Sequence, residues 1–152
     1  MRVALYQPDI PQNTGAIIRI CVCFNLPLDI IEPCGFVLDD NKLKRSAMDY
    51  GSLAEIKRHL SWQAFLEWKP QNNRLVLLTT KGNQALHKFD FQKDDILLFG
   101  RESGGVPVDV ANQAFAKVFI PMQGDTRSLN LAVSVGITSF QAIKSSEELS
   151  LL

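Results

Sequence analysis

Ile96-Leu97-Leu98-Phe99-Gly100-Arg101-Glu102-Ser103-Gly104-Gly105 sets an unbroken apolar run directly before a polar, glycine-bearing loop. Continuous rather than alternating apolarity is the pattern of a strand covered on both faces, as strands of parallel sheets are. Loops at the carboxyl ends of such strands are where α/β sheets bind ligands. The segment therefore predicts an α/β domain with a binding loop just after Phe99.

Similar runs recur on either side at Val3-Ala4-Leu5-Tyr6, Leu28-Asp29-Ile30-Ile31, Leu75-Val76-Leu77-Leu78 and Val118-Phe119-Ile120, with a weaker one around Ala54 to Arg58. Helical patterns fall between them. Ile17, Ile20, Cys21 and Phe24 are spaced i, i+3, i+4 and i+7 behind Asn13-Thr14, a candidate helix cap. Ser61 can cap a helix through Trp62, Phe65 and Leu66 that ends near Pro70, and Pro107 suits the start of another. The last helix carries Leu129, Ala132, Val133, Gly136, Ile137, Phe140 and Ile143 as one stripe, while Leu131 and Val135 add apolar surface elsewhere. One of its faces is expected on the sheet. The other is either more core or a contact with a second subunit, where Gly136 would allow close helix approach. The sum is a mostly parallel sheet flanked by helices.

The chain has 152 residues, 46% hydrophobic and 21% charged, which suits one globular domain that folds without a structural metal or disulfides. Sixteen Lys plus Arg balance sixteen Asp plus Glu, so no general basic coat exists for nucleic acid. Any attraction for RNA must come from a local cluster or from cations that two subunits bring together. Cys21, Cys23 and Cys34 are odd in number and lack metal-ligand spacing, consistent with a reduced, cytoplasmic protein. Met1-Arg2 runs straight into a strand-like segment, so no signal peptide is expected, and no apolar run reaches membrane-spanning length.

Familiar sites are missing. No Gly-x-Gly-x-x-Gly follows the first strand, no Gly-Lys-Ser/Thr phosphate loop occurs, and His59 and His87 with Ser103 do not form a hydrolase signature. What remains is three polar junctions beside apolar runs. They are Asn13-Thr14-Gly15-Ala16-Ile17-Ile18-Arg19; Gly100-Arg101-Glu102-Ser103-Gly104-Gly105; and Ile120-Pro121-Met122 with Gly124-Asp125-Thr126-Arg127-Ser128-Leu129-Asn130. Singly, each reads as plain turn chemistry more readily than as a binding loop.

In this order the three junctions resemble the motifs of the SPOUT methyltransferases, the trefoil-knotted RNA methyltransferases that use S-adenosylmethionine. The resemblance runs nearly end to end. It is nearest to the small bacterial tRNA 2′-O-methyltransferases that act on cytidine or uridine at wobble position 34, through Leu5-Tyr6-Gln7-Pro8, Ile10-Pro11-Gln12-Asn13-Thr14-Gly15, Ile31-Glu32-Pro33, Met48-Asp49-Tyr50 and Leu78-Thr79-Thr80-Lys81-Gly82. It implies a single SPOUT domain over residues 1–152 without a separate RNA-binding extension, a C-terminal trefoil knot, and a homodimer whose active site uses both subunits. The implied partner is the anticodon region of tRNA, and no metal or membrane is implied.

The resemblance places Leu78, Gly100, Ile120 and Ser128 against S-adenosylmethionine, which leaves as S-adenosylhomocysteine, and Arg19, Glu102, Ser128 and Asn130 in the catalytic machinery. A guanidinium stays protonated, so Arg19 is expected to hold a phosphate beside the target ribose and stabilise the developing alkoxide rather than act as a base. Gly100, without a Cβ, would let a ligand approach the chain. Glu102 is expected to orient Arg19 or attract the sulfonium. Asn130 either contacts the site or forms a helix-start hydrogen bond. Lys42, Lys44 and Arg45, then Lys57 and Arg58, are the candidate phosphate-binding cations, and Arg127 could reach RNA or a partner subunit. Phe140 stands where related sequences often carry Tyr, and Val133 where they often carry a polar residue. The alternatives are a ribose methyltransferase for another tRNA or rRNA site, a base-methylating relative, and a non-catalytic RNA-binding or cofactor-sensing module.

Overall fold

The structure, a computed structural model, describes residues 1–38, 55–124 and 128–146. Seven strands among them form one sheet: β1 (Arg2–Tyr6), β2 (Leu28–Ile31), β3 (Ile56–His59), β4 (Leu75–Leu78), β5 (Gln84–Ala85), β6 (Ile96–Phe99) and β7 (Ala116–Phe119). Their order is β3-β2-β1-β6-β4-β7-β5, and every pairing is parallel. The α-helices among the described residues are α1 (Pro11–Cys23), α2 (Trp62–Trp68), α3 (Val108–Asn112) and α4 (Leu131–Ser145).

The continuous apolar runs are explained by burial on both faces. Val3, Leu5, Val76, Leu97 and Phe99 point into a core shared with Ile17, Ile18 and Cys21 of α1 and Val135, Ala142 and Ile143 of α4. The alternate residues Ala4, Leu75, Leu77, Ile96 and Leu98 point the other way, onto Phe65 of α2 and Val110 of α3. At roughly 1.5–3 kcal/mol per fully buried large apolar side chain, these two layers dominate the stabilisation of the fold.

Several local expectations shift. The weak strand lies at Ile56–His59, later than Ala54 to Arg58. Ser61 does cap α2, accepting from the Ala64 N–H at 3.1 Å. Pro107 does stand at the start of α3, in its N-cap position. Asn13 and Thr14 do not cap α1: the helix begins two residues earlier at Pro11, and both lie buried inside its first turn. Proline needs no N–H partner and has its φ preset, so it starts the helix and leaves the Asn13 side chain free to bond elsewhere.

On α4 the expected single stripe splits. Ala132, Val135, Thr138, Ser139, Ala142 and Ile143 are buried, whereas Val133, Ile137 and Phe140 are 49%, 42% and 48% exposed. The helix packs on α1, but a Cβ added at Gly136 would meet only Ile20 Cδ1 at 3.6 Å, an ordinary contact. Close approach within this chain therefore does not demand glycine there.

The connection after β4 crosses the end of β7. Thr79 N–H donates to the Val118 carbonyl at 2.9 Å and Asn83 N–H to that of Lys117 at 3.0 Å. A Cβ at Gly82 would lie 2.7 Å from the Val118 carbonyl carbon, so only glycine fits that crossing. No described helix is long and apolar enough to cross a membrane.

Candidate active site

The carboxyl ends of β4, β6 and β7 open into a cavity of about 710 Å³, within the roughly 300–1,000 Å³ usual for small-molecule sites. Leu78, Gly100, Ile120 and Ser128, the residues assigned to the cofactor, all line it, together with Glu102 and Asn130. Leu77, Leu78, Val106 and Ile120 give it apolar walls, and Thr79, Lys81 and Ser128 supply polar groups. Arg19 does not line this cavity; it is exposed on α1.

Gly100 is also needed for the closure of its own loop. Arg101 and Gly105 pair as an antiparallel bridge, with N–H to carbonyl distances of 3.0 and 2.9 Å, which folds the loop back on itself. A Cβ on Gly100 would fall 2.5 Å from the Gly105 carbonyl carbon. The missing side chain lets the loop close, and Gly105, at φ +69°, takes the left-handed turn that closure requires.

Hydrogen bonds tie the three polar junctions together. Both Glu102 carboxylate oxygens are engaged: Oε1 accepts from Asn13 Nδ2 at 2.9 Å and Oε2 from the Asp9 N–H at 2.8 Å. Asn13 Oδ1 in turn accepts from Asn130 Nδ2 at 2.9 Å. Asn130 Oδ1 caps α4, accepting from the Ala132 N–H at 2.8 Å and the Val133 N–H at 3.3 Å. The helix-start role considered for Asn130 is thus real, and its amide simultaneously joins the cavity-lining relay. The bonds of Glu102 orient Asn13 and the turn at Asp9.

Asp9, which carries no sequence motif of its own, is a centre of this arrangement. Its Oδ1 accepts from Arg101 Nη2 at 2.8 Å and Nε at 3.3 Å, and its Oδ2 from the Ser103 hydroxyl at 2.6 Å and N–H at 3.0 Å. The Arg101 and Ser103 hydrogen bonds lower the Asp9 pKa from 3.8 to about 2, so the group is ionised at neutral pH.

Of the candidate phosphate-binding cations, Lys42, Lys44 and Arg45 lie outside the described residues, as does Arg127. Lys57 and Arg58 sit on β3, at the sheet edge away from the cavity strands. Lys57 lies over the Trp68 ring at 4.4 Å and Arg58 pairs with Glu32 at 3.0 Å. No group of His, Cys, Asp and Glu suited to a metal ion occurs among the described residues.

The model of the SpoU rRNA Methylase family matches residues 1–140. The tRNA (cytidine(34)-2′-O)-methyltransferase of Beijerinckia indica is 46% identical over 143 residues, covering 93% of this chain and 89% of the relative. The protein of that name from Escherichia coli K12 is 43% identical over 145 residues, covering 93% and 91%. A solved structure concerning 2-OH methylation of C/U34 on tRNA superposes with a TM-score of 0.88 at 40% identity, covering 97% of this chain and 96% of the other. The SpoU methyltransferase AviRb of Streptomyces viridochromogenes, solved with AdoMet, gives a TM-score of 0.82 at 25% identity, over 95% of this chain and 57% of AviRb.

Proposed function

This chain belongs to the SpoU rRNA methylase family, and from that premise we propose that it methylates the ribose 2′-hydroxyl of the wobble nucleotide, cytidine or uridine 34, of tRNA. The single observation that carries this reading is the relatives' shared name at 46% and 43% identity over nearly the whole chain. S-adenosylmethionine is the donor and S-adenosylhomocysteine the product.

The cavity suits that donor. Leu78 and Ile120 offer apolar surface for a purine, Ser128 and the loop backbone offer hydrogen bonds, and the lining is large enough for a nucleoside with an amino-acid tail. When bound, the donor supplies an electrophilic methyl group on a sulfonium. Leu78, Gly100, Ile120 and Ser128 hold it, while Glu102 and Asn130 act through Asn13 to fix the cavity wall.

The 2′-hydroxyl is poorly acidic, so the oxygen needs alignment and stabilisation as its proton passes to solvent and the methyl group moves from sulfur to oxygen. Arg19 is assigned this role, its forked guanidinium holding the neighbouring phosphate and facing the developing negative charge. Arg19 lies outside the cavity of its own chain, which supports a site completed by a second copy. The exposed Val133, Ile137 and Phe140 of α4 are the surface assigned to that homodimer. The described residues act as one methyltransferase domain, and the crossing of β7 by the loop after β4 accords with a C-terminal trefoil knot. The anticodon region is the part of tRNA engaged.

The reading is tested by methyl transfer to two synthetic tRNAs that differ only at residue 34. A ribose 34 substrate is expected to accept one methyl group and its 2′-deoxy counterpart none. Equal labelling of the two would refute ribose 34 as the target.

A further inference from the structure

We propose that Asp9 is a positioning residue for the cofactor loop: without touching the reacting groups, it locks residues 100–105 in the shape that grips the donor. This rests on the cofactor reading above and extends it to a residue outside the four cavity contacts. The two oxygens of Asp9 accept from four donors, all on Arg101 and Ser103. Its own N–H donates to Glu102. Three consecutive loop residues are therefore fastened to one turn at the end of β1. The Arg101–Gly105 bridge closes the rest of the loop, leaving Asp9 to set where that closed unit sits relative to Leu78 and Ile120.

The packing around Asp9 is built for this. A Cβ on Gly35 would lie 2.9 Å from Asp9 Cα and 3.0 Å from its Oδ1, so the neighbouring turn comes as close as a bare backbone allows. Gly35 N–H also donates to the Pro8 carbonyl at 2.9 Å. The carboxylate is thus braced from behind by one loop while it holds another in front. An amide cannot replace it: asparagine has one acceptor oxygen, and in either orientation its NH2 would face an N–H of Ser103 or of Arg101, donor against donor.

The test compares wild type with Asp9→Asn, Asp9→Glu and Arg101→Gln. Calorimetry with S-adenosylhomocysteine gives cofactor affinity, steady-state kinetics give kcat and both KM values, and melting gives stability. Asp9→Asn is expected to weaken S-adenosylhomocysteine binding and raise the KM for S-adenosylmethionine by about tenfold, the effect of losing a charge-assisted bond. The KM for tRNA should stay within about twofold, and Asp9→Glu should recover most of the affinity. Arg101→Gln removes the more exposed half of the pair and should act in the same direction by about threefold, which preserves the test if Asp9→Asn does not fold. Wild-type affinity in both Asp9→Asn and Arg101→Gln, or equal rises in the two KM values, would overturn the proposal. Failure of wild type itself to bind S-adenosylhomocysteine would instead overturn the functional reading.

Discussion

Asn130 and Asn13, 117 residues apart in sequence, are joined by a 2.9 Å hydrogen bond from the Asn130 amide to the Asn13 side-chain oxygen. Asn130 uses its own oxygen to cap α4. Asn130→Asp separates the two roles, because a carboxylate still caps the helix but no longer donates. Stability is expected to remain within about 1 kcal/mol, since Asp and Asn are comparable caps, while kcat/KM falls roughly tenfold or more from the broken relay. Asn130→Ala should lose both, adding a cap loss of about 0.5–2 kcal/mol. Urea unfolding beside steady-state kinetics checks the split.

Gly100 and Gly104 sit in one loop and should respond oppositely to alanine. The new Cβ at position 100 meets Gly105 backbone at 2.5 Å, whereas at position 104 it meets nothing within 4 Å. Gly100→Ala is expected to cost about 1–3 kcal/mol by overpacking and, by displacing the loop, to lower methyl transfer roughly a hundredfold. Gly104→Ala should stay within about 0.5 kcal/mol of wild type. Thermal melts and single-turnover rates on both variants decide it.

The exposed face of α4 predicts a response to charge. Ile137→Asp and Phe140→Asp place a carboxylate where the side chains are 42% and 48% exposed, Phe140 keeping one ring contact with Phe24 at 6.4 Å between centroids. Each variant should keep its fold, as read by circular dichroism, but sediment as a monomer. Activity should fall with dimer content if Arg19 completes a neighbouring site. A monomer with full activity would remove the shared site.

The strands are legible in the sequence because burial on both faces leaves a run such as Ile96–Phe99 wholly apolar. Leu78, Gly100, Ile120 and Ser128 come from the resemblance and not from periodicity; the structure places all four on the cavity wall. Asp9 is not legible: it stands alone between Pro8 and Ile10, and its partners lie 92 and 94 residues further on. Asn13 reads as a cap because Asn-Thr favours one locally, whereas Glu102, brought near by the sheet, claims its amide. The Gly100 constraint also depends on a contact with Gly105 that only the folded loop creates. Periodicity reports what an element buries; it carries no signal for which distant loops meet.

Acid should release the Asp9 clasp. Arg101 and then Ser103 hold the carboxyl at about 2, below its ordinary 3.8. A folded-state pKa lowered in this way stabilises the protein above the ordinary value, and that contribution is lost as pH falls through about 2. The Arg101 side chain is partly exposed, so solvent screening keeps the effect modest. The urea midpoint of wild type should exceed that of Asp9→Asn near neutral pH, and the gap should shrink between about pH 4 and pH 2. A gap constant across that range would contradict the assignment.

Wobble-ribose methylation itself is decided by nucleoside-resolved mass spectrometry of tRNA from cells lacking this gene, before and after incubation with the purified protein and S-adenosylmethionine. New 2′-O-methylation confined to cytidine or uridine at position 34 is the expected result. Methylation at another nucleotide, or none on tRNA while S-adenosylhomocysteine still binds, would contradict it.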